Sequence, residues 1–564
     1  MDKRTLLAFA LMAIVIVVTP LLFPSSRRAP APKSDTARAS QEQPATPAAV
    51  APAPAAATAP ASIATPTTGA TASTTAALDG SIERISVTTS RARYELQNPG
   101  AVPLAATIFG FKDLRPAQRD TVAVVEQPRA YGPLLHYRLS NGGQIIALDT
   151  IRFAVQQTGG TTTFTSTAPA ITINYVPSPD GYRMNVRGSM AGATPGAAML
   201  IDLPSELRSL EADTLDDARH LAYAYRVPLR AVTTVPFSKL DTAVRADTGG
   251  LQWVAARNKY WLVALMKPVG TPAGAEFRGF VARRDTAAGK IVRNAHATTS
   301  LPLTNGQFSF DLYVGPQSWQ ELHAMGNELE NVNSYAGWIP GVQPFTTLVM
   351  RVLLWMKATF RVNYGWVLVL FGVAIRLLLW PLNQKAMRTS IQMQRLQPEL
   401  QEIQRKYKTE PDKQRDALVK VYQAHGMSPL SPMLGCLPML LPMPVLFALY
   451  FVFQNTIEFR GVSFLWLPDI SLRDPYYIIP LLMGASMLLL SWIGMQGMPP
   501  NPQTKMMSYM MPAMFTIMFL NFASGLNLYY AVQNVAALPQ QWIITRERAK
   551  AGVSMPSASR GRKT

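Results

Sequence analysis

The apolar positions of the chain fall into three textures, and each predicts a different kind of structure. Behind Lys3 and Arg4 runs an unbroken apolar stretch from Leu6 to Phe23, the pattern of a signal sequence or signal anchor. No small-x-small cleavage site follows it in PSSRRAPAPK, so an uncleaved transmembrane anchor is expected over residues 1–23. Residues 24–80 are rich in Ala, Pro and Thr and nearly free of aromatic residues. They cannot bury enough apolar surface to fold and predict an extended, disordered tether. From 81 to 318 short alternating or aromatic runs recur, among them ITINYV, LQWVAARNKYWLVALMKP and FSFDLYVG, punctuated by Gly, Pro, Asn and Asp. That alternation predicts an all-β sandwich domain.

After residue 318 the period becomes helical. A linker and an amphipathic helix lying in the membrane interface are expected over 319–363, with Arg351, Lys357 and Arg361 opposite an apolar side. Five stretches are then long and apolar enough to approach a bilayer crossing, at 364–383, 430–456, 476–494, 506–523 and 524–544. With the anchor they make six spans. Between the first two, Met393, Leu396, Leu400, Ile403 and Tyr407 step by three and four residues, and Leu418, Val421 and Tyr422 mark a second arm. Residues 384–429 are therefore expected to form a helical hairpin, kinked at Pro398. The loops 457–475 and 495–505 and the basic tail 545–564 complete the order. The fold class is thus a multi-domain membrane protein: an α-helical core of five spans plus an N-terminal anchor span, a large all-β sandwich, and a helical hairpin.

Charge then orients the chain. The net charge is +19, and of the 53 Lys and Arg residues nine lie in 384–429 and six in the tail, against two in 457–475. Cations stay on the cytoplasmic side, so the hairpin and both termini are expected in the cytoplasm. The β domain falls outside, in the periplasm where a cell has two membranes. One cysteine, Cys436, excludes an intrachain disulfide. No metal-ligand spacing, Walker sequence or nucleophile-base pair is present, so no enzyme, cofactor or metal is expected and no binding to DNA.

The five core spans hold no Asp, Glu, His or Lys in their apolar stretches, which argues against a proton relay. They do hold Arg376, on one helical face with Gly365, Gly372 and Asn383. A charge at that depth either snorkels to the headgroups or serves a polar cavity. In the last span Asn527, Tyr530, Asn534 and Gln541 share a face, with Gln533 and Gln540 beside it. Such residues are interhelical glue, or two polar faces turned together line a hydrated cavity. Methionines recurring from Met433 to Met518 mark either ordinary packing or a surface adaptable to many apolar partners.

The segments GVAIRLLLWPLNQKAM, LQPELQEIQRKYK, DKQRDALVKVYQAHGMSPLSPMLGCLPMLLPMPVLFALY, DPYYIIPLLMG and SGLNLYYAVQNVAALPQQWII resemble the YidC membrane-protein insertases, part of the YidC/Oxa/Albino family. LQWVAARNKYWLVALMKP and FDLYVGPQ resemble the periplasmic domain of its Gram-negative members, a β-supersandwich. The resemblance implies an inner-membrane insertase and chaperone that acts alone or with the Sec translocon. It implies a cytoplasm-open substrate groove containing Arg376, with Gly372, Asn527, Tyr529, Tyr530 and Asn534 around it; which tyrosine points inward is left open. It implies a substrate slide at Met433, Met439, Met443, Met510, Met514 and Met518, and a substrate-receiving hairpin at Met393, Leu396, Leu400, Ile403 and Tyr407. The basic residues Arg546, Arg548, Lys550, Arg560, Arg562 and Lys563 would contact the ribosome or anionic lipid. Implied partners are nascent membrane proteins, the Sec translocon, the ribosome and the signal recognition particle receptor. Two other readings stand beside it: a polyspecific transporter or channel, and a Sec assembly factor that does not itself insert.

Overall fold

The structure is a computed structural model that describes residues 82–118, 121–179, 181–240, 244–245, 250–268, 276–284, 291–333, 342–407, 410–425, 443–496 and 502–550. The expected anchor, the tether, the first part of the 430–456 span and the end of the tail lie outside the described residues. So do Met433, Met439, Arg560, Arg562 and Lys563, and the side chains of Met393, Arg548 and Lys550.

The strands run from Glu83 to Pro316 and form sheets of four, nine and six strands. Where one face of a strand is covered the pattern alternates: Ala92, Tyr94, Leu96 and Asn98 are buried along Ala92–Asn98. The middle of the nine-stranded sheet is different. Every residue of Trp253–Arg257 and Trp261–Met266 is buried, so both faces are covered. Asn258 shapes the turn between them, its Oδ1 accepting from the backbone N–H groups of Tyr260 (3.2 Å) and Trp261 (2.8 Å). Gln317 then ties the following segment to the same turn, donating to the carbonyls of Asn258 and Trp261. The nine- and six-stranded sheets meet in one core, where the Tyr175 hydroxyl donates to that of Tyr137 at 3.1 Å. Two short helices, α1 (Thr214–Arg219) and α2 (Trp319–Met325), accompany the strands.

Among the described residues seven helices follow: α3 (Val342–Phe360), α4 (Tyr364–Lys406), α5 (Pro411–Ala424), α6 (Met443–Asn455), α7 (Ile478–Met495), α8 (Pro502–Phe519) and α9 (Ser524–Lys550). α3 buries Val349, Met350, Leu353, Leu354 and Met356 against α6. Its open side carries Leu348 and Trp355 beside Arg351, so that side is not only cationic. Asn363 starts α4 by accepting from the Gly365 N–H at 2.8 Å.

The sequence places a boundary at Asn383, between span and hairpin. α4 has none there and continues unbroken through Pro398 to Lys406. Residues 384–406 hold no glycine, and their apolar stripe gains a partner. Leu396 and Leu400 pack on Tyr422 of α5, with Leu418 and Val421 alongside. Ile403 and Tyr407 are only half-buried.

Among the described residues two helical stretches are long and apolar enough to cross a membrane, Tyr364–Arg388 and Ile478–Met495. Met443–Asn455 and Ser508–Phe519 are shorter apolar helices, and α9 is long but too polar to qualify by the same measure.

The β domain and the helices are joined by the loop after α6. Ile457 belongs to the core of the β domain. Arg460 enters a socket of that domain, with Nε 2.9 and 2.8 Å from the two Glu211 carboxylate oxygens. Its Nη1 and Nη2 donate to the carbonyls of Lys112 and Leu210, and the guanidinium lies 5.4 Å from the centre of the Trp261 ring. Burial raises the Glu211 carboxyl to about 7, with Arg460 pulling it the other way.

Candidate functional site: the seam between α4 and α9

α4 and α9 run against each other, and their contact line is polar. On α4 the line follows Gly372, Arg376 and Trp380, one helical turn apart. On α9 it follows Tyr529, Gln533, Ala537, Gln540 and Ile544, all buried. Helices approach closely where side chains are small. A Cβ placed on Gly372 would lie 3.0 Å from Val532 Cγ1 and 3.6 Å from Tyr529 Cδ2, so glycine sets the spacing there. The absent side chain lets Gln533 reach the backbone, and its Nε2 donates to the Gly372 carbonyl and to the Tyr529 hydroxyl, each at 3.0 Å.

One turn along, Arg376 is half-buried. Its Nη2 donates to Gln540 Oε1 at 2.8 Å. Gln540 in turn donates from Nε2 to the Trp380 carbonyl at 3.0 Å, which fixes the amide's direction. The Nε of Arg376 is buried and has no hydrogen-bond partner, and among the described residues no acidic side chain pairs with it. Asn383, further along the same helix, is buried with its Nδ2 unpartnered. The seam therefore holds a full positive charge whose only hydrogen-bonded acceptor among the described residues is a neutral amide.

The face of α9 that meets Arg376 is not the one expected. Asn534 turns to α7, donating to the Ser486 hydroxyl at 3.1 Å. Gln541 lies against Gly494 of α7, where an added Cβ would sit 2.7 Å from its Nε2. Asn527 donates to the Phe519 carbonyl at the end of α8, at 3.0 Å. These three are polar ties between helices and do not reach Arg376. Of the two tyrosines, Tyr529 lies on the seam, with its ring 5.8 Å from that of Phe371. Tyr530 packs on Phe519 instead, at 5.6 Å. The working partners Gln533 and Gln540 stood beside the expected stripe. Their signal was the small residue between them, Ala537, facing Gly372's helix.

On the side of α8 turned from α7 an apolar face stays uncovered. Met506, Met510, Met514 and Met518 recur every four residues along α8 and are 44 to 60% exposed. The opposite side of α8 is fixed on α7, where a Cβ on Gly484 would strike Thr516 Oγ1. Met443, at the start of α6, is half-buried in the helical core. At the far end of α9, Arg546 stacks on Trp542, 3.4 Å from the ring centre, and Glu547 pairs with Arg388 of α4 at 3.2 Å. Among the described residues no group of His, Cys, Asp or Glu is arranged to hold a metal ion.

Residues 355–551 match the family model of the 60Kd inner membrane protein, and residues 143–349 match that of the YidC periplasmic domain. A membrane protein insertase YidC of Chlorobium phaeovibrioides is 33% identical over 412 residues, which is 69% of this chain and 68% of that one. The corresponding protein of Chlorobaculum tepidum is 29% identical over 422 residues, covering 71% and 68%. A crystal structure of an active YidC insertase with its first transmembrane domain resolved aligns over 82% of this chain and 93% of that one, at 19% identity and a TM-score of 0.34.

Proposed function

The chain belongs to the YidC family of membrane protein insertases, non-enzymatic proteins of the inner membrane, and from that premise we propose that it inserts nascent membrane proteins through the seam between α4 and α9, with Arg376 as its receiving charge. The observation that carries this reading is the unfinished coordination of Arg376. A guanidinium at membrane depth costs ~2.5–3.5 kcal/mol to insert. A structural arginine recovers that cost by saturating its donors. Arg376 is bonded to one neutral amide and keeps a buried Nε unbonded. An acidic or polar segment entering the seam would supply the missing acceptors, and the attraction is strengthened by the low dielectric around it.

The apolar part of a substrate needs a different surface. The methionine face of α8 is exposed, flexible and chemically undemanding, and it suits apolar helices of many sequences. Met443 begins the neighbouring α6, and Met433 and Met439 extend the same segment in sequence. In this reading the hairpin of α4 and α5 lies in the cytoplasm and receives substrate. The tail from Arg546 to Lys563 binds ribosomal RNA or anionic lipid, and the Sec translocon and the signal recognition particle receptor are partners. Both termini are cytoplasmic and the β domain is periplasmic.

Purified protein in lipid vesicles, given a short two-span substrate, tests the proposal. Protease-protected substrate that depends on Arg376, without leakage of an entrapped dye, is the expected result. Dye flux would indicate a channel. Insertion only on addition of Sec components would indicate an assembly factor.

A further inference from the structure

A cleft of ≈ 440 Å³ lies where the β domain meets the end of α6, far in sequence from the Arg376 seam. One wall is built by Arg219 and His220 at the end of α1, with Arg257 from the centre of the nine-stranded sheet. The floor is the last turn and a half of α6, with Tyr450, Phe451 and Gln454.

The wall is cationic. Its acid, Asp216, is already engaged by Lys259, with Nζ 2.8 Å from Oδ2. Arg219 and Arg257 therefore add to a positive field that Asp216 does not cancel. His220 donates from Nδ1 to the Asp216 carbonyl at 2.8 Å, and burial holds its pKa below the ordinary value. The ring is then neutral, with Nε2 left as an acceptor for a hydroxyl group.

The floor is apolar and leads out into lipid. Phe447, Tyr450, Phe451 and Gln454 follow one face of α6 at spacings of three and four. Phe447 is 41% exposed, so the stripe begins on a surface the protein leaves uncovered and ends in the cleft. The chain turns polar directly beyond, at Gln454-Asn455-Thr456. That transition puts the cleft at headgroup height.

We propose that this cleft binds the phosphate headgroup of one phospholipid, drawn from the leaflet beside the β domain, with an acyl chain laid along the Phe447 stripe. Arg257 is buried and spends Nε and Nη1 on the carbonyls of Asn258 and Val332, so it contributes charge alone, and the exposed Arg219 is the guanidinium that pairs with the phosphate. The volume falls within the ~300–1,000 Å³ of small-ligand sites. A soluble phosphate ester shares the headgroup chemistry, and the stripe leading to lipid is what favours the lipid. The site requires α6 to lie in a bilayer but is independent of insertion activity.

The test uses the full chain in vesicles of phosphatidylethanolamine and phosphatidylglycerol containing a diazirine-tagged phosphatidylglycerol. After photolysis, adducts are mapped by mass spectrometry. They should concentrate on the peptide carrying Phe447 to Gln454. Arg219→Glu should lower that labelling by about fivefold or more, the size expected for one cation near a lipid surface. Gln454→Trp, which fills the cleft without changing charge, should lower it as well. Arg230→Glu, which alters an exposed cation elsewhere on the domain, should leave it unchanged. Melting temperatures of all variants establish that each is folded. Wild-type labelling in both Arg219→Glu and Gln454→Trp would mean bulk annular lipid only and overturn the proposal. A rise in melting temperature with glycerol phosphate in detergent, lost in Arg219→Glu, together with unaltered vesicle labelling, would assign the cleft to a soluble phosphate and also overturn it.

Discussion

Arg460 and Arg376 both sit in low-dielectric surroundings, and they are treated in opposite ways. Arg460, 3% exposed, spends its donors on the Glu211 carboxylate and two backbone carbonyls, with an aromatic face beneath it. Arg376 has one hydrogen bond, to a neutral glutamine, and a buried nitrogen with none. A charge kept for structure is matched in charge and hydrogen bonding, because an uncompensated buried ion is costly. A charge kept to meet something else has to carry part of that cost when empty. The β domain and its junction belong to the first kind, and the proposed function requires the α4–α9 seam to belong to the second.

The contrast should break most visibly at the saturated arginine. Arg460→Ala leaves Glu211 without its counter-charge, and removal of one partner from such a pair costs ~3–5 kcal/mol. A clear fall in melting temperature in detergent is expected, with faster proteolysis between the β domain and the helices. A wild-type melting curve would show that the pair is not holding the junction.

Arg376→Ala should do the reverse, leaving the melting curve nearly unchanged and lowering insertion of substrates with acidic translocated segments by about tenfold, or ~1.4 kcal/mol. Neutral substrates should lose less, and Arg376→Lys should keep more activity because it keeps the charge. Equal losses for acidic and neutral substrates, at matched expression, would sink the electrostatic role.

Gln540→Glu sharpens the comparison by making Arg376 resemble Arg460. An acid at the one position already bonded to the guanidinium should stabilise the seam. It should reduce acidic-substrate insertion by about fivefold, or ~1 kcal/mol, since the receiving charge is then answered from within. Unchanged insertion would show that the bond to Gln540 does not govern the availability of Arg376.

The two sites should also differ with pH. Glu211 titrates near 4.5 when unfolded and at about 7 when folded, so the folded state holds the extra proton between those values. Its contribution to stability is complete below 4.5 and is lost as pH rises through about 7. Melting temperature should therefore decline over that window, and Glu211→Gln should flatten the decline. Insertion, whose charge is an arginine without a carboxylate partner, should not follow the same curve.

The smallest effect is expected at the tail. Removing residues 550–564 takes away Lys550, Arg560, Arg562 and Lys563. Ribosome co-sedimentation in detergent should weaken with a shallower salt dependence, while insertion of small substrates changes little. Equal sedimentation at every salt would assign the tail to lipid.

Local pattern was enough for much of this architecture. Period-two runs located the strands, and three-four spacing marked residues of α4 and α5 that meet, Leu396 and Leu400 on Tyr422. The lone charge in an apolar span singled out Arg376. These features depend on neighbours within a few residues, and composition reports them directly. The change from apolar to polar sequence at Asn383 marks no end of the helix: α4 runs on across Pro381 and Pro398, with no glycine over 384–406 to stop it.

What only the tertiary structure decided is which faces meet. α9 carries amides on two neighbouring faces, Asn527, Asn534 and Gln541 on one and Gln533 and Gln540 on the next, so its sequence does not say which of them meets α4. The choice of Gln533 and Gln540 as partners of α4 rests on the close approach allowed at Gly372, 161 residues away from Gln533. Arg460 and Glu211 are 249 residues apart, and neither reads as half of a pair until the sheets and the loop after α6 are in place. The physical reason is the same in both cases. A polar group can be recognised in sequence, but the partner that satisfies it, or fails to, is chosen by packing between segments that carry no record of each other.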